Sequence, residues 1–578
     1  MQSAIHEAVE HYHAGHRDQA AQFCRALLVR NPRQAYAHYL LALIARDEGR
    51  LDDALTLFAH AFDHGLDDPG TRFDYARVLA QADQRCQAIA HLERALRKQP
   101  GFTEARWLLI DLLLEGARYQ QAGCYLRRLI NEDPEEPIAH YRFGLCQYFL
   151  RDLAAAERHF RRALDLAPEW RGEIHARLSA LLEEANRPGA AEAHARQALE
   201  LMPDDLEART TLAKVLRRRG ELDDALACLD RLDSGKATNQ EHARALAERG
   251  EILEQLGRYD EAFQAFHWAK RGVANIRRVQ FEIPSMMEAL RRAERFFTPE
   301  RMMALCVLGH AGDSEPVNPV FVTGFPRSGT TLLERMLSQH EGIATGGELD
   351  LIPRLEAELA NELGAPYPAC LEQLIERQDA ETLSNLRRRY QQRLREEVHI
   401  PDGTRWVIDK LPFNLAHLPL IRILFPAGVV VDMVRHPLDT LLSCYFQTSR
   451  NDYPWSFRLS DTALVLSHLR EHVDRMEAAI AHPATLRMGY EALVAAPETE
   501  LGRVLNALGL PWEPALLRFH ERGEMVRDAG YKHIAESLHD QRVYRHRRYQ
   551  NQIPADLLLQ LGGTIRGLGY EVADYSSG

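Results

Sequence analysis

The chain has 578 residues, enough for more than one domain, each able to bury a sizeable core. Its 71 Lys and Arg against 83 Asp and Glu leave a formal net charge of −12, which excludes a globally basic nucleic-acid binder. Eight scattered cysteines form no CxxC pair, which predicts reduced core thiols rather than a disulfide framework or a zinc site.

At the N-terminus His6, Glu7, Glu10 and His11 interrupt any apolar leader. No apolar run approaches the roughly 20 residues of a membrane span, so a soluble, cytoplasmic protein is expected. His11, His13 and His16 form a small cluster, but His11 and His13 point apart on a helix, so a solvated or partly packed helix end is expected there and not a metal site.

The first half repeats. Alanines fall at Ala20, Ala54, Ala88, Ala122, Ala156, Ala191, Ala225 and Ala262, mostly 34 residues apart, and prolines recur at Pro32, Pro69, Pro100, Pro134, Pro168 and Pro203. Ala54–Phe58, Ala156–Phe160 and Ala262–Phe266 each set a small residue and an aromatic one turn apart on one helix face. Gly49, Gly220 and Gly257 stand where a turn between paired helices belongs. A short side chain is what lets two antiparallel helices touch, and prolines end one helix or begin the next. The 34-residue period is that of tetratricopeptide repeats. An α-solenoid of seven to eight units over residues 1–274 is predicted, with a concave face for a peptide or protein partner. Scaffolding alone, or self-association into a homodimer, is the other use such repeats allow. The runs Arg217–Arg219 and Arg387–Arg389 are expected to be solvated faces.

Residues 275–315 lose the period and are expected to form a helical connector. From 316 to 578 the apolar pattern becomes short strands flanked by helices, which predicts an α/β domain with a mostly parallel sheet. Val320–Leu333 reads as a buried strand, a glycine-bounded turn and a first helical turn, the geometry that aims backbone N–H groups at a phosphate. The spacing Gly324-x4-Gly329 is P-loop-like, but Thr330 stands where the P-loop lysine belongs, and Arg327 lies inside the loop. Such a loop suits the 5′ end of a nucleotide held without a metal. Three further islands follow: Thr345–Arg354, Trp406–Phe413 and Gly428–Ser443. In the last, a strand runs into Arg435, Pro437 sits near a helix start and Ser443 lies about two turns on, so Arg435 and Ser443 can converge on one anion at the carboxyl edge of the sheet.

Over roughly residues 318–550 these motifs resemble the sulfotransferase family, and among its branches the tyrosylprotein sulfotransferases; repeats ahead of such a domain are similar to a bacterial group. The resemblance implies 3′-phosphoadenosine 5′-phosphosulfate (PAPS) as donor and no metal. It implies that Pro326, Arg327, Ser328, Gly329, Thr330 and Thr331 cradle the 5′-phosphosulfate and that Arg435 and Ser443 bind the 3′-phosphate. Gly346-Gly347-Glu348 matches the branch's general-base motif; His417 and His436 are the lesser candidates, and a helix-capping carboxylate is the other reading of Glu348. Lys410 resembles the lysine that stabilises the transferring group, and Ser537 resembles a serine that supports the transition state. Tyr490 is a nucleotide contact or a core residue. The basic run Arg542–Tyr549 resembles the segment that closes over the 3′-phosphate, with no single arginine assigned.

One departure concerns the acceptor. Asp350 stands where the tyrosylprotein branch has an arginine that grips acidic peptides, while Arg354 is kept. A differently charged peptide, a sugar, a lipid or a small metabolite therefore stays open beside protein tyrosine. Two other classes remain: a P-loop kinase or NTPase, with Asp432 or Asp409 as its magnesium acid, and a non-catalytic adaptor.

Overall fold

The structure is a computed structural model; it describes residues 2–230, 232, 239–277, 283–310, 318–448, 453–480, 485–519 and 542–571. It divides into two units, Met1–Thr211 and Leu212–Gly578.

The first unit is a succession of helical hairpins. They run from Gln2–His13 with Arg17–Arg30 to Arg171–Glu184 with Pro188–Leu201. A seventh pair, Leu206–Arg219 with Leu222–Ala227, starts at the boundary. An eighth, Gln240–Gln255 with Tyr259–Arg277, lies in the second unit. All eight period alanines are fully buried, as close helix approach requires. The facing helix is cut back too: a Cβ on Gly144 or Gly250 would stand 2.7 Å from the ring of Phe160 or Phe266. Each hairpin turns through one left-handed residue, at Gly15, Gly49, Asp83, Ala117, Arg151, Asn186, Gly220 and Gly257, with φ between +55° and +84°. Glycine takes that conformation freely, and the other four carry a steric cost.

The second unit is built on a five-stranded, wholly parallel sheet of order β2-β3-β1-β4-β5. Its strands are β1 (Asn318–Gly324), β2 (Ile343–Thr345), β3 (Trp406–Asp409), β4 (Val429–Val434) and β5 (Leu486–Gly489). Side chains alternate across it. Phe321, Val407 and Val430 enter one core, and Val320, Val322, Ile408 and Val431 enter the other. The helices Ile283–Phe296 and Pro299–His310 supply Phe296, Met302, Leu305 and Leu308 to the first of these cores.

Three expectations need correcting. Cys86 and Cys124 are exposed, so not every thiol is a core residue. Arg217 is largely buried and pairs with Glu248 at 2.6 Å, and Arg387 donates to the carbonyls of Leu424 and Gly309, so neither arginine run is purely a solvated face. Among the described residues no helix is long and apolar enough to cross a membrane, and no group of three or more His, Cys, Asp or Glu is arranged to hold a metal.

Candidate active site

β3, β1 and β4 are neighbours, and the chain leaving each at its carboxyl end carries one part of the site. After β1 comes the loop 325–329, then the helix Thr330–Leu337. The loop is tight because the backbone turns left-handed at Arg327 (φ +72°) and Gly329 (φ +106°). Side chains are excluded at both bounding glycines: a Cβ on Gly324 would lie 2.5 Å from the Met433 carbonyl oxygen, and one on Gly329 would lie 2.7 Å from the Tyr490 ring. Pro326, Ser328 and Thr330 are buried, and Thr331 is partly exposed at the first turn of the helix. The Ser328 hydroxyl has no hydrogen-bond partner among the described residues. A buried hydroxyl left unpaired beside a helix N-terminus is poised for an anion.

After β4, Arg435 is buried at 6 % exposure and Ser443 at 7 %, the latter on the helix Pro437–Phe446. The structure ties both to the loop. Arg327 Nε donates to Ser443 Oγ at 3.2 Å, and Arg435 Nη1 donates to the Arg327 carbonyl at 3.4 Å. The Arg435 guanidinium lies 4.7 Å from the centre of the Tyr490 ring, and its Nη2 donates to the Arg542 carbonyl. Among the described residues Arg435 Nε has no hydrogen-bond partner. Beneath Arg435, at 3.5 Å, is the fully buried Asp439, which also accepts from His546 Nδ1 at 2.8 Å. Burial alone would raise the Asp439 pKa, but the His546 hydrogen bond and the Arg435 charge outweigh it and hold the carboxyl below its ordinary value.

After β3, Lys410 is buried and meets two carboxylates. Nζ lies 2.9 Å from Glu348 Oε1 and 3.6 Å from Glu334 Oε2. The Lys410 N–H donates to the Gly347 carbonyl, which fixes the Gly-Gly turn and sets the exposed Glu348 over the ammonium. Glu334, buried on the helix behind the loop, accepts from Thr345 Oγ1 with its other oxygen. The sequence reading did not include Glu334. Its only signal is an acid four residues past Thr330 on a face that the helix turns inward.

The remaining candidates lie elsewhere. His417 pairs with Glu356 at 2.6 Å. His436 caps the helix of Ser443 and stacks on His546 at 4.0 Å; burial, then the His546 charge, lowers its pKa to about 4. Asp432 gives both oxygens to Arg470, at 2.7 and 3.1 Å. Asp409 accepts from Tyr390 and Asn414, and burial raises its pKa to about 7. Asp350 pairs with Arg354, which also reaches Glu397 at 3.0 Å. An aromatic wall not anticipated from sequence adjoins the loop: Phe325 packs 4.9 Å from Trp455, Trp455 stacks on Tyr453 at 5.0 Å, and Phe413 lies 5.1 Å from Tyr453. Ser537 lies outside the described residues.

Comparison with known proteins finds two kinds of family model in the chain. Residues 319–514 match the sulfotransferase family model, and tetratricopeptide repeat models match residues 7–63, 81–143, 138–169, 182–249 and 236–267. Over 84% of its length the chain is 24% identical to an uncharacterized protein of Aquifex aeolicus (strain VF5), spanning 69% of that protein. It is 28% identical to protein-tyrosine sulfotransferase 1 of Danio rerio over 36% of this chain and 58% of that one. It is 25% identical to protein-tyrosine sulfotransferase A of Caenorhabditis elegans over 44% of this chain and 67% of that one. The chain thus spans little more than half the length of the Danio relative. Tetratricopeptide repeats precede a sulfotransferase-family domain.

Proposed function

On the premise that this is a sulfotransferase-family domain behind tetratricopeptide repeats, we propose that the protein moves a sulfuryl group from PAPS to an acceptor hydroxyl. The observation that carries the reading is the convergence of a lysine-free phosphate loop, an arginine–serine pair and a carboxylate–lysine pair at the ends of three adjacent strands. The residues present fit the donor: among the described residues Ser328 Oγ and Arg435 Nε are buried with no hydrogen-bond partner.

When bound, the donor supplies an activated sulfuryl group and departs as the 3′,5′-bisphosphate (PAP). The N–H groups opening the helix Thr330–Leu337, with Arg327, hold the 5′ end, and Arg435 with Ser443 holds the 3′-phosphate. Glu348 takes the proton of the acceptor hydroxyl. Lys410, as a compact charge, offsets the negative charge growing on the leaving oxygen. Glu334 gives the ammonium a second counter-charge, so Lys410 stays compensated once Glu348 is protonated. Ser537 is retained as a second donor to the transition state.

Protein tyrosine is the acceptor the aromatic wall favours, because stacked rings suit a phenol. With Arg354 already compensated by Asp350 and Glu397, a neutral or basic flanking sequence fits better than an acidic one. The repeats are proposed to present that protein. The kinase reading is weaker, because Asp432 is consumed by Arg470 and Thr330 replaces the loop lysine.

The test is transfer of labelled sulfate from PAPS to tyrosine peptides in the presence of EDTA. Transfer is expected without magnesium, and Glu348→Gln is expected to lower kcat by about 10²–10⁴-fold with PAP binding intact. Magnesium-dependent ATP hydrolysis without sulfate transfer would overturn the proposal, and full activity in Glu348→Gln would remove the assigned base.

A further inference from the structure

The basic strip after residue 541 holds four arginines, and the structure gives them different partners. Arg545 is buried against the last repeat hairpin. Its Nε lies 2.6 Å from Glu254 Oε1, a second nitrogen meets Glu254 Oε2, and Glu251 stands 3.8 Å away. Its guanidinium also lies 5.0 Å from the centre of the Phe446 ring and 5.7 Å from that of Phe266. Arg548 is exposed and lies 3.6 Å from Glu254, while Arg547 is exposed over the Tyr544 ring.

Arg542 is placed differently. Its carbonyl accepts from Arg435 Nη2, and its side chain, 18 % exposed, lies 3.7 Å from Glu251. Burial lowers its pKa to about 10; Glu251 pulls upward, while Arg545 and Arg327 push further down. Arg542 is thus tied through its carbonyl to Arg435, whereas Arg545 is tied to the repeat hairpin. Glu251 and Glu254 are three residues apart on the helix Gln240–Gln255, on one face, and each meets the strip. The same hairpin also meets the helix that carries Ser443. The fully buried Lys270 donates to the carbonyls of Cys444 (3.1 Å) and Gln447 (2.8 Å) and to Ser456 Oγ (2.9 Å), at the end of the helix that carries Ser443.

We propose that Glu251 and Glu254, which lie on a repeat hairpin outside the matched sulfotransferase segment, are positioning residues of the nucleotide site: they anchor the strip so that Arg542 joins Arg327 and Arg435 around the 3′-phosphate. The inference rests on the nucleotide-donor reading above. Glu254 fixes the strip through Arg545, and Glu251 steers Arg542. Removing the Glu254 charge strands a buried guanidinium, and the strip leaves its seat. The carbonyl bond from Arg435 goes with it.

The experiment compares the affinities of PAP and AMP by calorimetry on the full chain. The two ligands differ only in the 3′-phosphate, so their ratio isolates the pocket in question. Glu254→Gln is expected to weaken PAP about tenfold or more, the scale of one lost charge-assisted hydrogen bond, with AMP changed less than about twofold. Glu254→Asp is expected to restore part of the ratio, and Glu251→Gln to lower it in the same sense. If Glu254→Gln does not fold, Glu251→Gln decides by the same ratio, since its side chain is partly exposed. An unchanged ratio, whether both affinities hold or both fall together, overturns the proposal. A wild-type chain that binds neither ligand places the fault in the nucleotide-donor reading instead.

Discussion

Lys410 shows how one side chain sets the chemistry of the site. Its ammonium is buried and shared between Glu348, which is exposed, and Glu334, which is not. Lys410→Ala leaves both carboxylates without that cation and removes the group proposed to offset leaving-group charge. The expected outcome is a fall in kcat of about 10²–10³-fold in the sulfate-transfer assay, the cost of losing one preorganised charge-stabilising group. A melting-temperature control separates this from unfolding. The loop, Lys410, Arg435 and Ser443 were legible because each sits in a short island whose spacing has a local meaning. Their partners were not. Asp439 finds His546 across 107 residues and Arg545 finds Glu254 across 291, and no local pattern encodes such pairings. Glu334 was illegible for another reason: its helix has a mixed surface, and only the fold shows which face meets Lys410.

At the scale of the element, the repeats were read through their alanines, and every one of those is buried. The turns were harder to see, since glycine marks only half of the left-handed positions. Ala117 holds φ +55° with a Cβ it does not need there. Ala117→Gly is expected to stabilise the first unit by about 0.5–1 kcal/mol, after the added chain entropy of glycine is set against the relieved strain. Thermal or urea unfolding followed by circular dichroism checks this, and a loss of stability would refute the strain argument. Gly144 and Gly250 carry the opposite lesson. They look like weak points in a helix, yet each is the gap that a phenylalanine of the paired helix fills. Aromatic positions pointed to the contact, but only the packing shows what lies opposite.

Over the whole molecule, acid should be the sensitive variable. In the first unit His91, His159 and His194 are each lowered to about 4, chiefly by burial. The His159 Nδ1 lies 3.0 Å from His140 Nδ1, inside this packing. The native chain thus holds these rings neutral where the unfolded chain, near 6.5, takes up protons. Above about pH 6.5 they have no effect on stability. Between 6.5 and about 4 stability falls with each proton that only the unfolded state binds, and below 4 the loss from these groups levels off. The double variant His159→Gln/His194→Gln is expected to show a smaller drop in melting temperature between pH 7 and pH 5 than the wild type. An equal drop would mean that other groups govern the acid response.

Lys270 has a consequence for modularity. An ammonium donated by a repeat hairpin terminates the helix that presents Ser443, so the array is not a detachable handle on a self-sufficient enzyme. A chimera meant to keep the proposed catalysis while exchanging the other repeats would have to be spliced upstream of Gln240. Any graft made further along would carry away the ammonium that pins the end of the Ser443 helix.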